Sequence, residues 1–122
     1  MPVRSLNSSV LKWPDTRAVV YALGHWTEKV VKGRKDVLKI GYFGSYARGD
    51  WGVGSDLDMI LVLEGSEQAF EERPQGWNMS EFPVPVNLLV YTEAEWKSLD
   101  RKGRFYKTMV REAVWVYEKE VR

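Results

Sequence analysis

Cysteine is absent from this chain of 122 residues, and histidine occurs once, at His25. The lack of thiols excludes disulfide bonds and thiolate metal sites, and one imidazole is too few for a structural zinc site. We interpret His25 as a surface or packing residue of a helix. A metal bound by this protein would therefore be a hard cation on oxygen ligands.

Long hydrophobic runs are also missing, and neither sign of charge dominates. No segment approaches the roughly 20 apolar residues of a membrane span, and the first residues lack a signal-peptide core, so we expect a cytoplasmic protein. The chain has 18 Lys and Arg against 17 Asp and Glu. This balance gives no overall positive field that would attract nucleic acid, so any anionic ligand must be held by local groups.

The length fits one domain, residues 1–122, with a loose arm over residues 1–12. Apolar residues at helical spacing then predict an amphipathic helix that begins around Pro14 to Thr16 and ends at Gly33. Strands are predicted over 37–44, 57–64 and 84–92. The middle strand is apolar almost throughout, which is typical of a central strand covered on both faces.

Shorter helices are predicted between and after these strands. One covers 66–74 and ends at Pro74. A capping box formed by Thr92 and Glu95 starts another helix that runs through Leu99. A last helix covers 104–112, and residues 114–117 either continue it or form a closing strand. The expected fold class is α+β, a two-layer domain in which helices flank a small mixed sheet.

The stretch "GSYARGDWGVGSDLD", residues 44–58, carries four glycines and three aspartates. On a strand, residues i and i+2 point to the same face about 6.5 Å apart, so Asp56 and Asp58 should project together. Two adjacent carboxylates repel each other unless a cation lies between them. One divalent metal, or a pair about 3.5–4 Å apart, would fit there.

The first half of the same stretch suggests an anion site. "SYAR" can form one helical turn after Gly44, so that the amides of Ser45 and Tyr46 lie at a helix N-terminus. Gly44 lets a phosphate come close, the Ser45 hydroxyl adds a donor, and Arg48 adds charge. A phosphate cradle beside paired carboxylates is typical of a nucleoside triphosphate held through magnesium.

Other motifs do not fit the stretch. It has no G-x-x-x-x-G-K-[ST] and no G-x-G-x-x-G, and residues 50–58 lack the ligand series and terminal glutamate of an EF-hand. The alternative to a binding site is a glycine-rich hairpin whose aspartates are solvated turn residues.

The pattern of "GS", ten residues and then "DLD" resembles the G-S-x10-D-x-D motif of the minimal nucleotidyltransferases in the DNA polymerase β-like superfamily. The resemblance implies a polymerase β palm-like fold. It also implies that Gly44 and Ser45 bind the triphosphate, with Ser55 assigned to the nucleotide as well. Asp56 and Asp58 would hold two magnesium ions, for which manganese can substitute.

The implied reaction is magnesium-dependent transfer of a nucleoside monophosphate, AMP from ATP, to a hydroxyl group, with release of pyrophosphate. One residue departs from the family pattern, because a third carboxylate usually stands on the next strand and the matching position here is Asn87. An amide can ligate magnesium but brings no charge and cannot act as a base. Three alternatives follow: slow turnover, replacement by a nearby acid such as Glu81, or nucleotide binding without turnover.

Two functions are therefore open. The first is an enzyme that uses Asp56, Asp58 and Asn87, with an acceptor on a partner protein or on a second copy of the chain. The resemblance implies a small helical partner of the HEPN type in a toxin–antitoxin pair. The second is a catalytically weak, antitoxin-like module that binds nucleotide and acts by contact with such a partner.

The loop tryptophans and the basic residues near the C-terminal end have simpler interpretations. Trp51 and Trp77 lie in predicted loops, where packing over the sheet edge is favoured over stacking on a base. If they and the sheet edge at 83–86 need cover, a homodimer could supply it. The Lys and Arg residues of 97–107 are interpreted as a solvated helix face. We assign to the core the three tryptophans that lie in predicted helices or strands: Trp26, Trp96 and Trp115.

Overall fold

The computed structural model describes residues 13–99 and 101–120, and the arm expected over residues 1–12 lies outside them. Within this described part, four strands form one sheet: β1 (Val37–Phe43), β2 (Leu57–Leu63), β3 (Val86–Thr92) and β4 (Val114–Glu118). Their order is β3-β2-β1-β4. β1 runs antiparallel to β2 and β4, whereas β2 and β3 are parallel. The expected α+β fold with a small mixed sheet is confirmed.

The helices flank this sheet: α1 (Thr16–Gly33), α2 (Ser45–Arg48), α3 (Glu93–Lys97), α4 (Arg104–Glu112) and a 3-10 helix (Phe70–Gly76). α1 begins where the sequence indicates, because the Asp15 carboxylate accepts a hydrogen bond of 3.0 Å from the Ala18 amide. The capping box at Thr92 and Glu95 is also present. None of the helices in the described residues is long and apolar enough to cross a bilayer.

Some boundaries differ from the sequence predictions. The 3-10 helix contains Pro74 instead of ending there, since the Pro74 carbonyl still accepts from the Trp77 amide at 3.2 Å. β3 begins at Val86 and not at residue 84, because Pro85 has no amide to donate to the ladder. Of the two alternatives for residues 114–117, the closing strand is the one observed.

Apolar side chains cover both faces of the sheet. On one face, Val19, Leu23 and Trp26 of α1 are buried against the sheet, and each buried apolar side chain of this size contributes about 1.5–3 kcal/mol. On the other face, Ile60 and Val62 of β2 meet Met109 of α4. Trp26 is buried, and the other two tryptophans assigned to the core are partly buried against this second cluster: Trp96 and Trp115.

The two loop tryptophans pack within the domain. Trp51 stacks on Tyr46, with ring centroids 5.7 Å apart and an interplanar angle of 8°. The ring centroids of Trp77 and Trp26 are 6.0 Å apart, and the Arg34 guanidinium lies 4.5 Å from the centroid of the Trp77 ring. The packing interpretation is therefore confirmed for both, and the loop tryptophans no longer argue for a homodimer.

A buried arginine joins the 3-10 helix to the end of β3. The Arg73 guanidinium donates to the Val90 carbonyl at 2.9 Å and to both carboxylate oxygens of Glu95 at 2.6 and 3.0 Å. Glu95 also accepts from the Thr92 amide at 2.9 Å. Chiefly because of the hydrogen bonds from Arg73, the pKa of Glu95 falls from its ordinary value of 4.5 to about 2.

Replacing Glu95 should weaken the fold and change its response to acid. A carboxylate with a lowered pKa stabilises the folded state fully above about pH 4.5 and loses that contribution as the pH falls towards 2. We expect Glu95→Gln to cost about 1–2 kcal/mol at pH 7. This is the lower part of the range for a buried charged donor that loses its partner, because the Glu95 side chain is 41% exposed.

Denaturant titrations between pH 7 and pH 2 provide the measurement, and Glu93→Gln is the matched control. Glu93 is a neighbouring exposed glutamate that pairs with Lys97 at 3.5 Å, an arrangement worth about 0.5 kcal/mol or less. The difference in stability between the wild type and Glu95→Gln should shrink below pH 4.5. A difference that stays constant down to pH 2 would contradict this role of the Arg73–Glu95 pair.

Candidate active site

Three chain segments meet at one end of β2 because of the strand register. Asp58 on β2 lies beside Asn87 on β3 and, on its other side, beside Phe43 at the end of β1. Gly44 follows Phe43 directly, so the glycine turn and the aspartates become neighbours. The buried Leu57 and Met59 alternate with Asp58, which keeps the carboxylate on the opposite side of the strand from the main core.

The side chain of Asn87 faces both aspartates, as the alignment of the third strand predicted. Its Nδ2 donates to Asp58 Oδ1 at 3.1 Å and to Asp56 Oδ2 at 3.3 Å. The two carboxylates therefore converge on one point, although Asp56 precedes the first residue of β2. The N–H group of the Asn87 side chain, which carries a partial positive charge, lies at that point.

These side chains suit a hard divalent cation. If the Asn87 amide turns its carbonyl oxygen toward Asp56 and Asp58, the three side chains offer only oxygen ligands. Oxygen is the ligand atom that Mg²⁺ and Mn²⁺ prefer. Within the described residues, no group of three Asp, Glu, His or Cys side chains is arranged to hold a metal. A neutral amide in the third position makes this a weaker site than a set of three carboxylates would be.

Gly44 is required here for two reasons. Its φ of +79° and ψ of −152° lie in a region that essentially only glycine adopts. A Cβ added at Gly44 would also overlap Asp58 Oδ2. The sequence indicated that the missing side chain makes room for a phosphate, but the structure fills that space with the Asp58 carboxylate.

Substitution of Gly44 by alanine should therefore damage both stability and the site. We expect Gly44→Ala to cost about 1–3 kcal/mol from backbone strain, and to displace the Asp58 carboxylate from Asn87. Denaturant titration measures the first effect, and the chemical shifts of the Asn87 side-chain amide measure the second.

Gly49→Ala is the matched control. Gly49 also has positive φ, +88°, but a Cβ there meets nothing within 4 Å. This variant should lose stability while the Asn87 amide signals stay unchanged. Equal perturbation of those signals by both variants would contradict the close-approach role of Gly44.

The turn after Gly44 has the helical form that the sequence indicates. The Gly44 carbonyl accepts from the amides of Ala47 and Arg48 at 3.0 and 2.9 Å, which leaves the amides of Ser45 and Tyr46 in the unpaired first turn of α2. The buried Tyr46 fixes α2 in place, since its hydroxyl accepts from the Trp13 indole at 3.0 Å. Ser45 lines the same cleft as Asp56 and Asp58.

Arg48 does not offer the free charge that the sequence suggested. Its guanidinium donates to Asp50 at 3.0 Å and to both oxygens of Glu112 at 3.1 and 3.2 Å. The hydrogen bonds to Asp50, followed by those to Glu112, raise the pKa of Arg48. Arg48 lines the cleft, but two carboxylates already compensate its charge.

Two other expected site residues have different contacts. The Ser55 hydroxyl accepts from the Gly52 amide at 2.8 Å, so it closes the loop before β2 and is not among the residues that line the cleft. Glu81 forms an ion pair with Lys29 at 2.7 Å and borders a separate depression beside Trp77. Glu81 therefore does not replace the missing third carboxylate.

Sequence reasoning missed the contribution of α4. Thr108 and Glu112 line the same cleft, which has a volume of about 410 Å³, together with residues named above: Phe43, Gly44, Ser45, Arg48, Asp56, Asp58 and Asn87. This volume lies within the range of roughly 300–1,000 Å³ for small-molecule sites. The spacing of Thr108 and Glu112 places them on one face of α4, but nothing in the sequence indicates that this face meets the aspartates.

A larger cleft of about 580 Å³ lies toward the other end of β1, but its charged side chains pair among themselves. Lys39 forms an ion pair with Glu118 at 3.3 Å, and its Nζ lies 4.8 Å from the centre of the Trp115 ring. Lys97 pairs with Glu93, and Lys119 pairs with Glu64. The cleft around Asp56 and Asp58 is therefore the better candidate for chemistry.

Residues 26–116 match the model of the nucleotidyltransferase domain family, which is most of the chain. The chain belongs to this family. The resemblance of its Gly44–Asp58 stretch to the minimal nucleotidyltransferases is thereby confirmed. No curated protein shows significant similarity to the chain.

Several solved structures share the fold of the chain. A candidate nucleotidyltransferase from Sulfolobus solfataricus has 20% identity and a TM-score of 0.61, over 85% of this chain and 84% of its own. A toxin–antitoxin structure with AMP-PNP has 18% identity and a TM-score of 0.56, over 80% and 74%. A mutant of the toxin–antitoxin pair MntA–HpeT has 16% identity and a TM-score of 0.52, over 77% and 70%. At these identities the likeness concerns the fold.

Proposed function

We propose that this nucleotidyltransferase domain transfers AMP from ATP to a hydroxyl group of an acceptor protein, with Mg²⁺ as the cofactor. The observation that carries the proposal is the convergence of Asp56 and Asp58 on Asn87, directly beside the Gly44–Ser45 turn. Carboxylates that face a phosphate-binding turn are what a metal–triphosphate complex requires.

The residues of the cleft have different roles in the proposed function. Asp56, Asp58 and the Asn87 carbonyl oxygen would hold the metal, and the amides at the start of α2 and the Ser45 hydroxyl would donate to phosphate oxygens. Gly44 keeps the aspartates and the turn close enough to share one ligand. When bound, Mg²⁺ neutralises phosphate charge and favours departure of the leaving group.

In the proposed reaction, the acceptor oxygen forms a bond to the α-phosphorus while the bond from that phosphorus to the bridging oxygen breaks. Pyrophosphate leaves, and the acceptor hydroxyl loses one proton. Because Asn87 cannot take this proton, it must pass to an aspartate carboxylate or to water. The neutral side chain at this position therefore predicts slow turnover.

A protein partner would supply the acceptor. Two of the structures with a similar fold are toxin–antitoxin complexes, and one of these contains AMP-PNP. This supports a protein partner and a nucleotide at the site. That the partner is a helical protein of the HEPN type is what the sequence resemblance implies. A second copy of the chain is the other source of an acceptor.

A second function is favoured by Asn87 itself. Its amide donates to both aspartates and so satisfies them without a metal. The domain would then be an antitoxin-like module that binds nucleotide and a HEPN-type partner but turns over poorly. The two functions share the site and differ in whether AMP is transferred.

The test compares two labels on ATP. The protein is incubated with Mg²⁺ or Mn²⁺, a HEPN-type partner, and ATP labelled on either the α- or the γ-phosphate. Nucleotidyl transfer puts the α-label on the partner and leaves the γ-label in pyrophosphate. Transfer of the γ-label would overturn the proposal, and absence of α-label transfer with every metal and partner would favour the binding module.

A further inference from the structure

One charged surface next to the cleft has no role in the function described so far. Arg104, Lys107 and Arg111 of α4 are exposed, and together with Lys102 and Thr108 they line a depression on the surface. We call these three residues of α4 the basic face. Thr108 also lines the cleft that contains Asp56 and Asp58, so the two surfaces are continuous.

The basic face is unusual in this nearly neutral chain. Residues 101–111 contain five Lys or Arg and no Asp or Glu, whereas the whole chain has a net charge of +1. Within residues 13–99 and 101–120, the ion pairs of the domain include none with Arg104, Lys107 or Arg111. By contrast, carboxylates compensate Arg48 in the cleft itself.

The geometry of α4 directs part of this charge toward the cleft. Residues 104, 108 and 111 follow one another at spacings of four and three, so they share one side of the helix. Arg104 and Arg111 thus flank Thr108, the residue that belongs to both surfaces. Phe105 packs edge-on against Phe43, with ring centroids 6.2 Å apart, and this holds the first turn of α4 beside the residue that precedes Gly44.

Apart from a bound metal, the side chains of the cleft offer a triphosphate little positive charge. Asp56 and Asp58 are negative, Asn87 is neutral, and Arg48 is paired with Asp50 and Glu112. The basic face adjoins the cleft through Thr108. None of the ion pairs among residues 13–99 and 101–120 involves its three cations. Guanidinium groups suit such a ligand because their fork of N–H donors matches phosphate oxygens.

We propose that the basic face binds the terminal phosphates of the nucleoside triphosphate, and the pyrophosphate after transfer. Arg104, Lys107 and Arg111 then supply the positive charge that the sequence analysis expected from Arg48. This inference rests on the proposed function for its substrate. Binding of a polyphosphate to the basic face can nevertheless be measured without any transfer reaction.

Inorganic tripolyphosphate is the probe, titrated into the protein by calorimetry without divalent metal. We compare the wild type with Arg104→Gln/Arg111→Gln. The control is Lys32→Gln/Lys35→Gln, which removes the same charge from exposed residues in the last turn of α1 and in the turn after it. The arginine variant should bind tripolyphosphate about tenfold or more weakly, with a smaller dependence on salt, while the control binds like the wild type. ATP should weaken to a similar extent and AMP much less.

The outcomes separate this inference from the proposed function. Tripolyphosphate binding that depends on the arginines, in a protein that transfers no α-label, would support the basic face and overturn the transfer reaction. Equal tripolyphosphate affinity of the arginine variant and the wild type would overturn the inference, even if the α-label is transferred. An equal loss of tripolyphosphate affinity in the control variant would also overturn the inference. So would an arginine variant that loses binding of single-stranded RNA while its tripolyphosphate binding is unchanged.

Discussion

Asp58→Ala should reduce transfer of the α-label from ATP by roughly 10²–10³-fold, which corresponds to about 2.7–4.1 kcal/mol of transition-state stabilisation. The reason is that Asp58 lies centrally in the site: it contacts Asn87 on one neighbouring strand, and its Oδ2 occupies the space next to Gly44 on the other side. Without it, the site loses one of the two carboxylates that converge on Asn87 beside the Gly44–Ser45 turn. The measurement is the initial rate of α-label transfer at saturating Mg²⁺.

The fold itself should tolerate this substitution. Asp58 contacts Asn87 at an exposed position, and its removal also relieves the repulsion between two neighbouring carboxylates. Glu64→Gln is the control, because it removes one exposed carboxylate at the far end of β2 and should leave the rate unchanged. A normal rate in Asp58→Ala would show that the site does not work through the aspartates.

Asn87→Asp should have the largest effect in the opposite direction. The amide nitrogen already lies 3.1 and 3.3 Å from oxygens of Asp58 and Asp56, so the substitution places a third carboxylate at the point where they converge. A unit charge about 4 Å from a cation is worth roughly 1 kcal/mol in water and 4 kcal/mol near a protein surface. We therefore expect Mg²⁺ affinity and the rate of transfer to rise by about tenfold or more.

The same substitution should make the stability of the protein depend on metal. Without a divalent cation, three adjacent carboxylates repel one another, so the melting temperature should fall below that of the wild type. Added Mg²⁺ should then raise it more than in the wild type, because a ligand that binds the folded state stabilises it. Asn78→Asp, in a loop where the Asn78 side chain accepts from the Ser80 amide, is the control and should show neither change. Equal Mg²⁺ responses of Asn87→Asp and the wild type would exclude Asn87 from the metal site.

Local patterns in the sequence were sufficient for most of the fold. Asp15 and the Thr92–Glu95 capping box mark helix starts by short-range hydrogen bonds, and the apolar run of β2 indicates its central position. Residues 114–117 were ambiguous, because β-branched and aromatic residues after a helix fit either alternative. These residues form a strand because they pair with β1. That pairing joins distant parts of the chain, so local patterns do not reveal it.

The candidate site could be predicted as far as it depends on neighbouring residues. The spacing of Asp56 and Asp58 predicted that the two aspartates project together, and the family resemblance implied that Asn87 lies beside them. The contacts of Arg48 with Glu112, 64 residues further along the chain, could not be inferred from local patterns. For the same reason, local patterns suggested a free charge at Arg48.

Whether Asp56, Asp58 and Asn87 hold the metal of a nucleotidyltransferase is tested most directly by titration with Mn²⁺. Binding is measured by electron paramagnetic resonance in the presence of a non-hydrolysable ATP analogue. The wild type should bind Mn²⁺ together with the analogue, Asp58→Ala should lose this binding, and Asn87→Asp should strengthen it. Glu64→Gln should behave like the wild type. The same Mn²⁺ affinity in Asp58→Ala as in the wild type would contradict the assignment of the metal to this cleft.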